Sequence, residues 1–262
     1  MQTYFYELAD FLGSQLHADE VFLANLSGEA SQFVRFNRNL VRQAGSIKQS
    51  SLGISLIDSQ RRAESRLTLC GQRNTDCAQI SATIDALRRD LADLPQDPYL
   101  LYNQVPQSTE RIGDAGLAAE ADVLEQIMRE GHGKDLVGLY AAGAIYKGFA
   151  NSLGQRNWHR ADNFNLEWCL YHTADKAVKN SYAGTHWEST EFARKMALAA
   201  EQLDILKRPP MQLDPGQYRA YFAPAAMSDI LARMQSANLT IHDISTQEVE
   251  LEDLFISLTS AA

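Results

Sequence analysis

Histidine is the residue type with the clearest chemical potential in this 262-residue sequence, because imidazole binds metal ions and transfers protons. The chain has six histidines, and none are spaced to form an HExxH or HExxxH helix that would present two imidazoles and a general base. His159, His172 and His186 follow one another in a segment that is typical of strands. Two interpretations stay open for them: a shared metal site, or separate strand-surface or interface residues.

Other catalytic motifs are missing from the sequence. It contains no GxxxxGK[ST] loop, no GxGxxG loop after a strand and no GxSxG nucleophile motif. The nearest phosphate-loop candidate, Gly131-His-Gly-Lys134, lacks the required spacing and is predicted to be a turn that ends a helix. The three cysteines form no CxxC pair and are predicted to be reduced and mostly buried. We therefore assign no catalytic residue from the residues alone.

Composition narrows the function classes further. The chain has 24 Lys and Arg against 33 Asp and Glu, a formal charge of −9, which argues against nucleic acid as the main partner. No apolar run is long enough for a transmembrane helix, and the first residues lack the basic and apolar regions of a signal peptide. We expect a cytoplasmic protein with neither a nucleic-acid nor a membrane partner.

The elements that must position these side chains are predicted from hydrophobic spacing. Phe5, Leu8 and Leu12 recur at helical steps, and the period then changes to two over residues 21–69. Four short strands are predicted there, separated by turn-forming residues at 27–29, 37–39, 44–46 and 58–60. Strands joined by tight turns indicate an antiparallel meander.

The rest of the chain mixes both periods. Helical spacing predicts helices over residues 76–94, 117–128 and 192–206, with Asp76 and Gln79 as a variant capping box for the first. Residues 135–184 are strand-rich, residues 218–222 are predicted to form a strand, and Pro224 is expected to begin a short helix. The predicted class is α+β: an antiparallel strand meander with packed helices, not a doubly wound nucleotide-binding sheet.

Several blocks of sequence resemble one protein family. They are, in order, VRFNRN at 34–39, DLVGLYAAGAIYKGFANSLGQRNWH at 135–159, FNLEWCLY at 164–171, DKAVKNSYAG at 175–184 and YRAYFAPAA at 218–226. Together they are similar to the N-terminal domain of the TldD/PmbA family, on the PmbA or TldE-like side. Members of this family also carry the description modulator of DNA gyrase.

The resemblance implies a cytoplasmic proteolytic system. In it, a TldD-type subunit carries the zinc-binding HExxxH helix, and a PmbA/TldE-type subunit pairs with it and lacks that motif. For this chain we therefore expect a non-catalytic subunit that pairs with a TldD-type subunit or with itself. It is expected to bind peptide or unfolded protein, held as an added strand, and to contain no cofactor of its own, with zinc only in the partner.

The resemblance also divides the chain. Residues 1–228 correspond to the family's N-terminal domain, and residues 229–262 form a divergent tail, so the family's C-terminal β-domain is absent and a truncated or fused product is expected. The tail segment 239–259 is weakly similar to the closing segment of ABC-transporter ATP-binding subunits.

The polar and aromatic stretch near the middle of the longest block carries the predicted contacts. Arg156, Asn157, Trp158 and His159 are the candidate peptide- or partner-binding residues, and the competing interpretation is a structural glycine-and-aromatic hairpin. Two other functions stay open: an independent metallohydrolase that uses His159, His172 and His186, and an inert remnant.

Overall fold

The computed structural model describes residues 1–17, 19–113, 116–173 and 176–237. The chain divides into two compact units, residues 1–210 and residues 211–262, which are described separately. In the second unit, the described part contains one helix, α5 (Pro224–Ser236), which begins at the predicted proline. The tail at 239–259 lies outside the described residues.

The first unit is built on a seven-stranded sheet. Its strands are β1 (Val21–Asn37), β2 (Leu40–Asp58), β3 (Arg61–Thr68), β4 (Thr109–Ile112), β5 (Asp135–Asn151), β6 (Arg156–Tyr171) and β7 (Ala177–Gly184). The order is β3-β2-β1-β5-β6. Both β4 and β7 pair with the outer edge of β6, β4 near its start and β7 near its end. Every pairing is antiparallel except that of β4 with β6.

Four helices complete the first unit: α1 (Gln2–Ser14), α2 (Arg73–Asp93), α3 (Glu120–Glu130) and α4 (Ser189–Leu206). The predicted α+β class is therefore confirmed, with helices close to where the hydrophobic spacing placed them. Among the described helices, none is both long and apolar enough to cross a membrane.

All four helices cover the same face of the sheet. Buried residues of β1 fall on even positions, and they belong to two apolar clusters. Phe22, Ala24 and Leu26 pack in one cluster with α1 and α2, whereas Val34 and Phe36 pack in the other with α3 and α4. Because side chains alternate between the faces of a strand, the odd positions of β1 lie on the opposite face.

Two of the four predicted breaks in the meander are turns. Arg38 and Asn39 have φ of 53° and 55°, and Ser59 and Gln60 have φ of 48° and 61°. Two consecutive left-handed residues form the tight hairpin turn whose twist suits adjoining strands. The segments 37–39 and 58–60 therefore reverse the chain, as predicted.

The other two predicted breaks were wrong, because β1 runs unbroken through 27–29 and β2 through 44–46. Gly28 pairs with Ser50 on one side and Tyr146 on the other, so its backbone is held within the sheet. A Cβ on Gly45 would lie 2.8 Å from the Phe33 ring, which occupies the space above that glycine. These glycines serve close packing within strands, and not chain reversal.

Two further expectations were wrong, and one strand was not expected. Residues 218–222 form no strand, since they pair with no other described segment. The strand β4 was not predicted, because four residues are too few to show a period. Asp76 forms no capping box: its carboxylate accepts hydrogen bonds from the backbone N–H groups of Cys70 and Gly71, 2.9 Å away in each case.

Candidate functional site

The face of the sheet opposite the helices is the candidate site. A cavity of about 820 Å³ lies on this face, and six strands contribute to its lining. One row of side chains crosses the sheet in register: Ser27 pairs with Ser51 and Lys147, Lys147 with His159, and His159 with Arg111. Adjacent strands lie about 4.8 Å apart, so the cross-strand neighbours in this row face one another closely.

A second row runs beside the first. Asn25 pairs with Gly53 and with Phe149, and these positions continue to Arg66 on β3 and Asn157 on β6. The side chains of this row are half-buried or exposed. The cavity lining therefore mixes polar side chains with the aromatic rings of Phe149 and Trp158.

The four predicted contact residues lie on two different faces, because they are consecutive in β6. Asn157 and His159 line the cavity. The Asn157 side-chain nitrogen donates to Thr109 Oγ1 and to the Gln107 carbonyl, both at 2.8 Å, which ties β6 to the segment containing β4. These two residues are placed where a ligand on this face would contact them.

Arg156 and Trp158 point toward the helices. Arg156 forms an ion pair with Asp10 of α1 and lies over the ring of Tyr6 at 5.1 Å. Trp158 is 4% exposed and packs between Phe5 and Tyr146, with ring centroids 6.3 and 5.9 Å away. Their contacts join the sheet to α1, so one ligand cannot contact all four residues from one side. The binding role of the set stays a prediction.

The structure does not bring His159, His172 and His186 together. His159 lies near the start of β6 and His172 directly follows its end, thirteen residues later, which corresponds to roughly 40 Å along an extended strand. Across the described residues, no three His, Cys, Asp or Glu side chains are grouped to hold a metal ion. The metallohydrolase alternative therefore lacks its proposed site.

The cavity carries an excess of positive charge. Lys147 Nζ donates to Ser27 Oγ at 2.8 Å. The lining carboxylate, Glu64, is already paired with Arg62 at 2.8 Å. Within the described part of the chain, no carboxylate lies within ion-pair distance of Lys147, Arg66 or Arg111.

The far end of the same face is also lined by charged side chains. A second cavity of about 480 Å³ is lined there by Arg35, Leu139, Glu167 and Lys179, among others. Lys179 lies 3.9 Å from Glu167, whereas Arg35 and Arg42 in the same lining have no ion pair among the described residues. Leu139 is 41% exposed, which leaves an apolar side chain uncovered on this end of the face.

Sequence reasoning missed Arg66, Lys147 and Arg111 as members of one site. Lys147 lay within a recognised block, and it shares odd numbering with Phe149, Asn157 and His159. Because side chains alternate along a strand, the shared odd numbering within each strand could have predicted that these residues lie on one face. The sequence contains no comparable pattern for Arg111 and Arg66, because their place on this face depends on the strand order and on the register of β3 and β4.

The covered side holds a buried carboxylate that stabilises the fold. Asp76 is fully buried and accepts hydrogen bonds from Tyr4 Oη at 2.5 Å and from the amides of Cys70 and Gly71. Burial by itself raises the pKa of Asp76, but the hydrogen bonds from Tyr4, Cys70 and Gly71 outweigh it, and the pKa lies below its ordinary value. This carboxylate links α1, the end of β3 and α2.

Comparison with solved structures identifies the architecture. The chain is similar to TldE from Thermococcus kodakarensis, with a TM-score of 0.57 and 11% identity, over 77% of this chain and 47% of that one. It is also similar to two proteins provisionally described as modulators of DNA gyrase. The one from Thermotoga maritima has a TM-score of 0.53 and 11% identity over 75% of this chain and 48% of that one. The one from Bacteroides thetaiotaomicron has a TM-score of 0.54 and 14% identity over 77% and 48%.

No family model and no curated protein matches the sequence, and no comparison supports the ABC-ATPase resemblance of the tail. The zinc site of TldD-type subunits does not fit the residues present, because the sequence has no HExxxH and its described side chains form no ligand group of three. The chain spans about half the length of the solved structures it matches. Over that length it has the same fold as TldE and the two gyrase-modulator proteins.

Proposed function

We propose that this chain is a non-catalytic, PmbA/TldE-like subunit of the TldD/PmbA family. It pairs with a TldD-type zinc peptidase subunit, or with itself, and binds peptide for cytoplasmic proteolysis. The observation that carries the proposal is the uncovered face of the sheet, since all four helices of the first unit pack on the other side. The shared fold with TldE supports the choice of family.

The uncovered face is large enough for a partner. Its two central strands, β1 and β5, each contain 17 residues, which corresponds to roughly 55 Å of extended chain. A stable protein interface needs about 800 Å² on each partner, and a face of this length across five strands exceeds that area. Exposed Leu139 and Ile145 on β5 provide apolar contacts of the kind found at interface centres.

The lack of a metal-binding motif supports the non-catalytic role. A subunit without HExxxH contributes to peptide hydrolysis by pairing and by holding substrate, and a zinc ion bound by the partner would activate the water. The sequence has no other nucleophile or acid–base motif that would replace it. The polar cavity around Asn157 and His159 is where we place the peptide.

Sedimentation of the full chain with a TldD-type subunit tests the pairing. We expect a heteromeric complex at micromolar concentration, and Leu139→Glu is expected to weaken it by roughly tenfold or more, because a buried charge at an apolar contact is costly. Leu198→Glu is the matched control: Leu198 is also 41% exposed, but it lies on α4.

Two results would contradict this proposal. The first is a chain that stays monomeric both alone and with the partner subunit, which would support the inert remnant instead. The second is an equal loss of pairing in both leucine variants, which would place the interface away from the uncovered face.

A further inference from the structure

The cavity on the uncovered face is a trough with a floor of small side chains. Ser27 on β1 and Ser51 and Gly53 on β2 occupy the two strands at its centre. Arg66 rises on one side, from β3, and Lys147 on the other, from β5. Three strand spacings separate them, which is about 14 Å. The floor residues are small, and Lys147 reaches over them to donate to Ser27 Oγ at 2.8 Å, so a chain lying on the floor would contact the lysine ammonium.

Both walls of the trough are cationic. Arg111 lies farther out in the row that contains His159, about 10 Å from Lys147 across two strand spacings, so Arg66, Lys147 and Arg111 follow one another across the sheet. Within the described part of the chain, none of the three cations has a carboxylate partner, whereas the lining carboxylate Glu64 is neutralised by Arg62. The trough thus offers three cations without carboxylate partners on the surface of a chain whose formal charge is −9.

We infer that this trough binds an extended peptide segment rich in aspartate and glutamate. An extended peptide that crosses the strands meets Arg66, Lys147 and Arg111 in turn, at intervals of about 14 and 10 Å, which roughly four and three extended residues span. Guanidinium groups match carboxylates in shape as well as charge. The floor serines and Asn25 supply donors and acceptors for the peptide backbone. The inference rests on the proposed function, since a peptide is the ligand in both.

A peptide fits the trough better than a nucleic acid does. A nucleic acid would extend its phosphates beyond the short cationic patch and meet a protein surface of net negative charge. Single-stranded nucleic acids also need aromatic platforms for their bases, and the lining offers Phe149 with the mostly buried Trp158. The carboxylates of a peptide need only the three cations described above.

Fluorescence anisotropy with labelled peptides tests the inference. The probes are a short extended peptide of Asp, Glu, Ser and Gly, its counterpart with Asn and Gln in place of the acids, and a single-stranded oligonucleotide. The proteins are the full chain and the double variant Lys147→Gln/Arg111→Gln. Lys179→Gln is the control, because it removes one positive charge from the same face outside the trough.

We expect the acidic peptide to bind more tightly than its neutral counterpart, with an affinity that falls as salt is added. The double variant should weaken acidic binding roughly five- to tenfold, and Lys179→Gln less than twofold. Equal binding of acidic and neutral peptides would overturn the charge selectivity and leave peptide binding intact. Tighter binding of the oligonucleotide would overturn the choice of ligand, and failure of every peptide to bind would remove the peptide-binding part of the proposed function as well.

Discussion

The two faces of the central sheet are built from the same strands and have opposite characters. Even positions of β1 bury Phe22, Ala24 and Leu26 beneath helices, whereas the odd positions Asn25 and Ser27 line an open cavity. Backbone pairing is shared by both faces, so their difference comes from side-chain type alone. The side chains of the helix-covered face stabilise the fold by packing, whereas those of the uncovered face are not required for packing and can serve binding.

Adjacent residues of β6 provide the largest expected contrast. Trp158→Ala should cost about 3–5 kcal/mol of the free energy of unfolding, because it removes a buried aromatic that packs on α1 and leaves a cavity. His159→Ala, one position later on the open face, should cost less than about 1 kcal/mol. Urea unfolding monitored by far-UV circular dichroism measures both. Equal losses of unfolding free energy in the two variants would show that stability does not depend mainly on the helix-covered face.

A buried carboxylate and an exposed one give the next contrast. Asp76→Asn should cost roughly 2–3 kcal/mol at neutral pH, because an amide cannot accept all the hydrogen bonds that Tyr4, Cys70 and Gly71 donate. Glu167→Gln on the open face should change the unfolding free energy by less than about 0.5 kcal/mol.

The Asp76 effect should also depend on pH. Its folded pKa lies below the unfolded value of about 3.9, so its stabilisation is complete above the unfolded pKa and is lost as the pH falls through the folded pKa. The difference between the wild type and Asp76→Asn should therefore shrink in urea titrations below about pH 4. A difference that stays constant down to pH 3 would contradict the role of the ionised carboxylate.

Two strand glycines give a smaller contrast. A Cβ on Gly143 would lie 2.3 Å from the Ala30 carbonyl oxygen, and its φ of +154° disfavours other residues. Gly143→Ala should therefore destabilise by about 1–3 kcal/mol through strand separation. A Cβ on Gly53, at the trough floor, meets nothing closer than 3.8 Å, so Gly53→Ala should stabilise by about 0.5 kcal/mol. Differential scanning calorimetry distinguishes the two signs, and a destabilised Gly53 variant would contradict the open floor.

The sequence predicted the covered side of the fold better than the uncovered side. Spacing of Phe5, Leu8 and Leu12 was enough to locate α1, because burial imposes a period on a helix. The turn residues at 27–29 misled, because a central strand with partners on both sides can hold serine and glycine in extended conformation. Local sequence carries no information about those partners.

The candidate site was only partly predictable for the same reason. The sequence predicts Asn157 and His159 together with Arg156 and Trp158 as one contact surface, but strand alternation places the two pairs on opposite faces. Lys147 joins His159 through the antiparallel register of β5 and β6. Such a grouping requires knowledge of strand order and register, which long-range pairing determines.

The pairing of β1 with β5 has a consequence for how the chain folds. The turns at 38–39 and 59–60 join neighbours in sequence, whereas β1 and β5 pair over separations of 102 to 128 positions. Hairpins form in microseconds, but closing so long a loop is slow, so we expect the β1–β5 junction to assemble late. Until it does, two 17-residue strands expose unpaired edges that can recruit other chains. Refolding yield should therefore fall steeply as protein concentration rises.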